Sequence, residues 1–258
     1  MRHVEHLLRA TALAERHHFW FRGFRRFVAP LLHQATKGIS AVRLLDCGCG
    51  TGANLELLGR FGRAYGFDVS EAGLRIGRAS GRTRLVRATV AAAPFPSGAF
   101  DVVTSFDVLY ALEAADERAA VAEMYRVTRS GGFAIVNVAA MESLRGDHSV
   151  LSREVRRYSC RSLGRLLTGA GFEIVRLTYT DASLFLPMLA LRALQRRRGL
   201  AREEHAQREI TVPPAPVNAL LSAVLVVESW WLRQIDNPFG SSLLCLARKP
   251  ERAGSRRS

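Results

Sequence analysis

Leu44-Leu45-Asp46-Cys47-Gly48-Cys49-Gly50-Thr51-Gly52-Ala53-Asn54-Leu55 decides how this chain is read. An apolar run ends on an acidic residue and breaks into three glycines spaced one apart. Apolar residues then return at helical spacing. A buried strand that turns tightly into a helix produces this pattern. Glycine supplies unusual φ values there and lets a ligand approach the backbone closely. The helix that follows leaves its first N–H groups without intrahelical partners. The spacing is GxGxG, whereas a dinucleotide site shows GxGxxG with a pyrophosphate resting on the helix N-terminus. A nicotinamide cofactor is therefore the weaker fit.

Outward from this turn, strands and helices alternate. Residues 42–46 read as the first strand and 54–61 as its helix. Residues 65–69 read as the second strand, with Ser70 as the N-cap of the next helix. Residues 85–88 and 100–106 are strands three and four, and 116–128 is an amphipathic helix. Ser130-Gly131-Gly132 reads as a turn before strand five (133–138). A helix (162–171), strand six (172–179) and a late strand (242–247) complete the pattern. Such alternation implies parallel βαβ units with right-handed crossovers, an α/β Rossmann-like sheet. Asp68 ends strand two, twenty residues beyond Gly48. A carboxylate at that place suits the two hydroxyls of a ribose.

The 258 residues are 48% apolar, enough for a sizeable core. Net charge is +14, almost all from arginine, since Lys37 and Lys249 are the only lysines. GC-rich coding produces that bias, and the arginines are spread along the chain without an aromatic-plus-basic signature, so nucleic acid is disfavoured as partner. Cys47, Cys49, Cys160 and Cys245 match neither a disulfide framework nor a zinc set, and no metal is expected. No signal peptide and no stretch of about 18 apolar residues is apparent. A cytoplasmic protein, with peripheral membrane contact as an option, is the expectation.

Longer stretches sharpen the picture. LLDCGCGTGANL (44–55), YGFDVS (65–70), PFPSGAFDVVTSFDVLYAL (94–112), EMYRVTRSGGFAIV (123–136) and RRYSCRSLGRLLTGAGFEIVRLTY (156–179) resemble bacterial class I S-adenosylmethionine (SAM)-dependent methyltransferases of the broad "type 11" group. HHFWFRGFRR (17–26) resembles the start of one subgroup. The resemblance implies a seven-stranded sheet whose last strand is antiparallel. It implies that Gly48, Gly50 and Gly52, with Cys49 between them, lie under the methionine part of SAM while Asp46 helps hold its amino group. Asp68 and the neighbouring Val69 take the ribose side, Thr89 and Val90 flank the adenine, and the Phe106 carbonyl faces the amino group. Trp20, in the knot Phe19-Trp20-Phe21, caps the pocket. The family often has Asp where this chain has Thr89, whose hydroxyl can still accept a hydrogen bond.

Methyl transfer asks the protein mainly for alignment and exclusion of water. A base is needed only where the acceptor carries a proton. His148, in the loop after strand five, is the first candidate, followed by Tyr110, Tyr158 and His18. The expected reaction is transfer to a small hydrophobic, lipid-like or natural-product-like acceptor, with oxygen favoured. A catalytically silent binding protein is the alternative and an RNA methyltransferase a weaker one. Asp236-Asn237-Pro238-Phe239 resembles the (D/N)PP(Y/F) signature of amino-group methyltransferases, but it precedes the last strand and reads as a turn.

The expected organisation is a helical cap (1–38, helices at 4–15 and 21–34), the SAM-binding core (39–180), an apolar helical insertion (181–240), the last strand (241–250) and a loose tail (251–258). The insertion has two apolar helical patterns, 184–194 and 217–235. It reads as a lid over a greasy pocket, a membrane face or a homodimer interface.

Overall fold

The computed structural model describes residues 17–199 and 212–251. The expected helix at 4–15 and nearly all of the expected tail lie outside these residues. In chain order the elements are α1 (Phe19–Thr36), β1 (Arg43–Cys47), α2 (Leu55–Leu58), β2 (Arg63–Asp68), α3 (Glu71–Ala79), β3 (Leu85–Arg87), β4 (Phe100–Phe106), α4 (Ala114–Val127), β5 (Thr128–Ala139), α5 (Asp147–Leu151), α6 (Cys160–Gly169), β6 (Glu173–Thr180), α7 (Phe185–Arg198), α8 (Ala215–Trp231) and β7 (Ser242–Arg248). The strands form one sheet in the order β3-β2-β1-β4-β5-β7-β6. Strands β1 to β5 pair in parallel, and β7 runs antiparallel to both neighbours.

The central strands are apolar on both faces, as strands covered by helices on both sides must be. Leu45, Val103 and Val136 face one layer, where α4 contributes Val121 and Met124 and α6 contributes Leu163 and Leu167. Leu44, Val102 and Ile135 face the other layer, filled by Phe27, Val28, Leu31 and Leu32 of α1 and by Leu225 of α8. Each such side chain contributes about 1.5–3 kcal/mol by leaving water. Gly23 of α1 allows the close approach of α8: a Cβ there would stand 2.4 Å from Leu225 Cδ1.

The expected turn at Ser130-Gly131-Gly132 lies within the span of β5. Pairing with β4 jumps from Phe100–Thr128 to Val102–Phe133, so the glycines form an irregularity inside the strand. Gly132 is required there, because a Cβ would meet the Asp101 carbonyl at 2.8 Å. Helix α8 stops earlier than its apolar pattern suggests. Arg176 of β6 hydrogen-bonds the Leu232 carbonyl and pairs with Asp236 at 2.7 Å, which turns the chain away. Asn237 then donates its side-chain amide to Glu228 at 3.1 Å and its N–H to Thr178 Oγ1 at 3.0 Å, while its carbonyl accepts from Tyr179 N at 3.4 Å. The 236–239 segment is thus a clip between α8 and β6.

Candidate cofactor and acceptor site

The bend after β1 is held by β2. The amides of Gly48 and Cys49 both donate to the Phe67 carbonyl, at 2.9 and 3.0 Å. One residue on, the Asp68 carboxylate accepts from Gly50 N at 2.8 Å and from Ser70 N at 2.7 Å. Ser70 in turn caps α3 by accepting from Gly73 N. The bend and the carboxylate therefore meet at one point. Each Asp68 oxygen keeps a lone pair for a further hydroxyl. Gly48, Gly50 and Gly52 all have positive φ (77°, 56° and 75°), so all three need glycine for conformation.

The three are not equivalent in what they face. A Cβ on Gly48 would strike Val108 at 2.5 Å, and one on Gly52 would meet Leu85 and Arg82 near 3 Å. A Cβ on Gly50 would meet nothing within 4 Å. Of the three, only Gly50 has open space where a side chain would stand. Cys49 also turns inward, packing with Leu74 and Leu85. Burial pushes the thiols of Cys47 and Cys49 far up and that of Cys245 up to about 12, so these thiols are inert.

Asp46 is buried at the end of β1. Its Oδ1 accepts from Thr104 Oγ1 at 2.7 Å, while its Oδ2 has no partner. Burial raises its pKa to about 7 against the pull of that hydrogen bond, with Asp68 adding to the rise. A buried carboxylate oxygen without a donor is costly unless a cation or donor reaches it. Val69 is 66% exposed beside the bend, an apolar platform on an otherwise polar edge. Thr89 is exposed, and its Oγ1 receives the Ala91 amide at 3.3 Å. Val90 packs against the core. Phe106 is buried with its ring edge-on to Phe24. Half-buried Trp20 donates its amide to His18 Nδ1 at 3.2 Å, making His18 the N-cap of α1.

The acceptor candidates divide into two groups. His18 stacks on Phe19 at 4.5 Å, and both burial and the nearby His148 hold it below the ordinary imidazole range. Two histidines 130 residues apart in sequence thus feel one another electrostatically. The tyrosines are differently placed. Tyr158 donates its hydroxyl to Glu117, which also pairs with Arg156 at 2.7 Å. Tyr110 is buried, with Ser152 hydrogen-bonded to its hydroxyl. Burial raises both phenols well above their usual value, so neither is poised as a base.

A further set escaped the reading of the sequence. Asp107, Met141 and Asp181 each follow the end of a strand, β4, β5 and β6, and each has positive φ (61°, 57° and 61°). Strained side-chain-bearing residues cluster where surrounding structure over-determines them, and functional sites are common among such places. Asn137 Nδ2 donates to Asp107 at 2.9 Å. Thr180 and Ser241 hydroxyls reach Asp181. Burial raises Asp107 to about 7, and burial with nearby Glu228 raises Asp181 to about 8. An acidic residue directly after a strand was the only sequence signal. A separate cleft of about 380 Å³, lined by Leu55, Gly59, Ala64 and Arg82, shares no residue with this constellation.

Comparisons with known proteins bear on the domain and the fold. Residues 45–136 match the family model described as a methyltransferase domain. A demethylmenaquinone methyltransferase of Geobacillus kaustophilus is 33% identical over 115 residues, covering 40% of this chain and 48% of that protein. The chain spans about half the length of the curated relatives it matches. A SAM-dependent methyltransferase from Thermotoga maritima superposes with TM-score 0.55 at 20% identity, over 95% of this chain and 99% of that one. The [4+2]-cyclase SpnF superposes with TM-score 0.55 at 24% identity, over 88% and 81%. The fold is that of the class I methyltransferases. Residues 45–136 are thus similar to a methyltransferase domain, on a fold shared with solved SAM-dependent methyltransferases.

Proposed function

We propose that the protein transfers a methyl group from SAM to a small apolar acceptor. The observation that carries this is the Gly50 amide bonded to Asp68 beneath open space, next to an orphaned oxygen of Asp46. These residues fit the cofactor: Asp46 Oδ2 suits an ammonium, the Asp68 lone pairs suit a ribose, and Val69 offers an apolar surface. SAM, when bound, supplies a methyl already activated on a sulfonium, so no side chain has to activate the donor. The chain's own residues then have three tasks: to hold the donor, to exclude water and to take a proton from the acceptor.

His18 and His148 are the pair suited to the last task. Burial and nearby His148 favour the neutral form of His18, and its Nδ1 already accepts the Trp20 amide. Its Nε2 therefore carries the proton, and the proton-accepting role falls to His148 in this reading. Phe19 and Phe21, packed against the His18 ring, keep water from it. A hydroxyl oxygen of the acceptor is the favoured site of methylation. Methylation at carbon is the second reading, favoured by relatives whose names specify C-methyltransferases. The cyclase on the same fold keeps a third reading in view, SAM-fold binding without methyl transfer.

Calorimetric titration with SAM and S-adenosylhomocysteine, followed by mass spectrometry of apolar phenols, quinols and fatty alcohols, tests the proposal. Binding with a gain of one methyl on an acceptor supports it. Binding without turnover across the panel supports the silent reading, and no binding of either nucleoside overturns both. His148→Ala lowers kcat roughly a hundredfold at unchanged SAM affinity if it takes the proton. His18→Asn keeps an N-cap acceptor and so separates capping from proton handling.

A further inference from the structure

The two helices between β6 and β7 are built inside out. Helix α8 has 17 residues, and one of them, Glu228, is charged. Glu228 is 6% exposed and turned inward, where its carboxylate accepts from Ala182 N at 2.8 Å, Ser183 N at 3.0 Å and Asn237 Nδ2 at 3.1 Å. Asn218, Ser222 and Ser229, the helix's other polar residues, are also buried or half-buried. Every exposed residue of α8 is apolar. Pro216, Leu220, Ala223, Val227 and the pair Trp230-Trp231 recur at steps of three and four, one continuous stripe along the helix. Val227, Trp230 and Trp231 are 63%, 60% and 57% exposed.

Helix α7 repeats the inversion. Its Arg192 is buried, while Leu186, Leu191 and Leu194 are exposed. Both helices adjoin the turn at residues 182–184, and Phe185 of α7 touches Phe239 beyond α8 with ring centroids 5.1 Å apart. A helix on a water-facing surface carries the reverse pattern. Cationic groups edge the apolar stripes. Helix α7 ends on Arg196, Arg197 and Arg198, with Arg197 and Arg198 exposed. Arg233 follows α8 and borders one shallow cleft with Arg26 of α1, beside Ser229 and Leu232. Among the described residues here, Glu228 is turned inward and Asp236 is paired with Arg176.

We propose that α7 and α8 form a docking face for an anionic lipid bilayer, with Trp230 and Trp231 seated at headgroup depth. Among the described residues no helix is long and apolar enough to cross a membrane. A helix with an apolar outer face, tryptophans and flanking arginines instead lies in the interface. Charge decides between this occupant and a second copy of the chain. An isologous dimer would set the arginine rim against itself, on a chain of net charge +14. Lipid phosphates supply the missing negative charge.

The inference stands apart from the methyl-transfer reading, and its test is read without turnover. The full chain is sedimented with vesicles of phosphatidylcholine and with vesicles of phosphatidylcholine and phosphatidylglycerol in equal parts. Sedimentation with the anionic vesicles, weakened by added salt, is expected. Trp230→Ser with Trp231→Ser lowers the partition roughly tenfold or more, because the exposed rings drive insertion. Arg197→Gln with Arg198→Gln lowers it roughly fivefold per charge on anionic vesicles alone. Unchanged thermal unfolding and S-adenosylhomocysteine affinity in these variants show that fold and cofactor edge are intact. The proposal is overturned if the wild-type chain ignores both vesicles, or if the tryptophan variant partitions equally well. It is also overturned if sedimentation velocity shows a dimer that Trp231→Ser dissociates while no vesicle is bound.

Discussion

The two ends of the strand row make their sites from different materials. At the β1–β2–β3 edge the chain offers backbone: an open Gly50, amides turned inward, and a carboxylate held by two main-chain N–H groups. At the β4–β5–β6 ends it offers strained side-chain-bearing residues, buried acids and a histidine pair contributed by distant segments. A backbone-built site suits one invariant ligand, because little in it can vary without breaking the turn. A side-chain-built site is replaceable residue by residue, which suits an acceptor that differs among proteins sharing the fold. On the proposed function, the contrast places specificity: the first edge would bind the donor, and the second would distinguish what receives from it.

Substitutions can break or sharpen that contrast. The largest effect is expected from Gly50→Val, which fills the open backbone at φ 56°. SAM affinity falls by roughly a hundredfold or more, while the strained residue costs about 1–2 kcal/mol of stability. Calorimetry beside chemical denaturation measures both, and a folded variant with normal affinity would erase the distinction between the edges. Next is Glu228→Ala. It leaves the amides of Ala182 and Ser183 and the Asn237 side chain without their acceptor, at a cost of about 3 kcal/mol in denaturant unfolding.

Acidity probes the two ends differently. At the donor edge, binding an ammonium favours ionised Asp46, whose pKa stands raised to about 7. SAM affinity therefore falls as pH drops below 7, by up to about tenfold per unit, and Asp46→Asn removes the dependence. At the acceptor end the raised values act on stability. Asp181 near 8 and Asp107 near 7 both lie above the ordinary 3.8, so their contribution is full below about pH 4 and is lost as pH rises through their folded values. Unfolding free energy falls by at most about 1.4 kcal/mol per pH unit for each group. Asp181→Asn flattens its share of that slope between about pH 4 and 8, which thermal unfolding across pH detects. The smallest effect is a gain: Thr89→Asp restores the acid usual in the resembled family and raises SAM affinity a few-fold, measured by titration.

The donor edge was legible in the sequence because its information is local. Gly48 to Gly52 and Asp68 are close enough along the chain for spacing to imply their meeting, and β4 fell at Phe100–Phe106 as periodicity suggested. The β5 irregularity was not legible, since Gly131-Gly132 looks the same in a turn as inside a kinked strand. Nor was the unequal use of the three glycines, which depends on Val108 and Leu85 arriving from elsewhere. The other end was legible only as four candidates, His148, Tyr110, Tyr158 and His18, because which of them share a face is set by the packing of α1 and the loops over the sheet. The apolar character of 217–227 was plain in sequence, but which side faces outward depends on Glu228 finding donors at 182 and 183.

One side chain ties the far parts of the molecule together. Asn218 accepts the Phe19 amide and donates to the His17 carbonyl, both at 2.8 Å, so a residue of α8 grips the chain on either side of His18. A rotation of that helix would shift His18, Phe19 and Trp20 with it. Whatever the helix rests on would thereby be linked to the placement of those three residues, and a ligand that fixed them would strengthen the helix's hold by the same free energy.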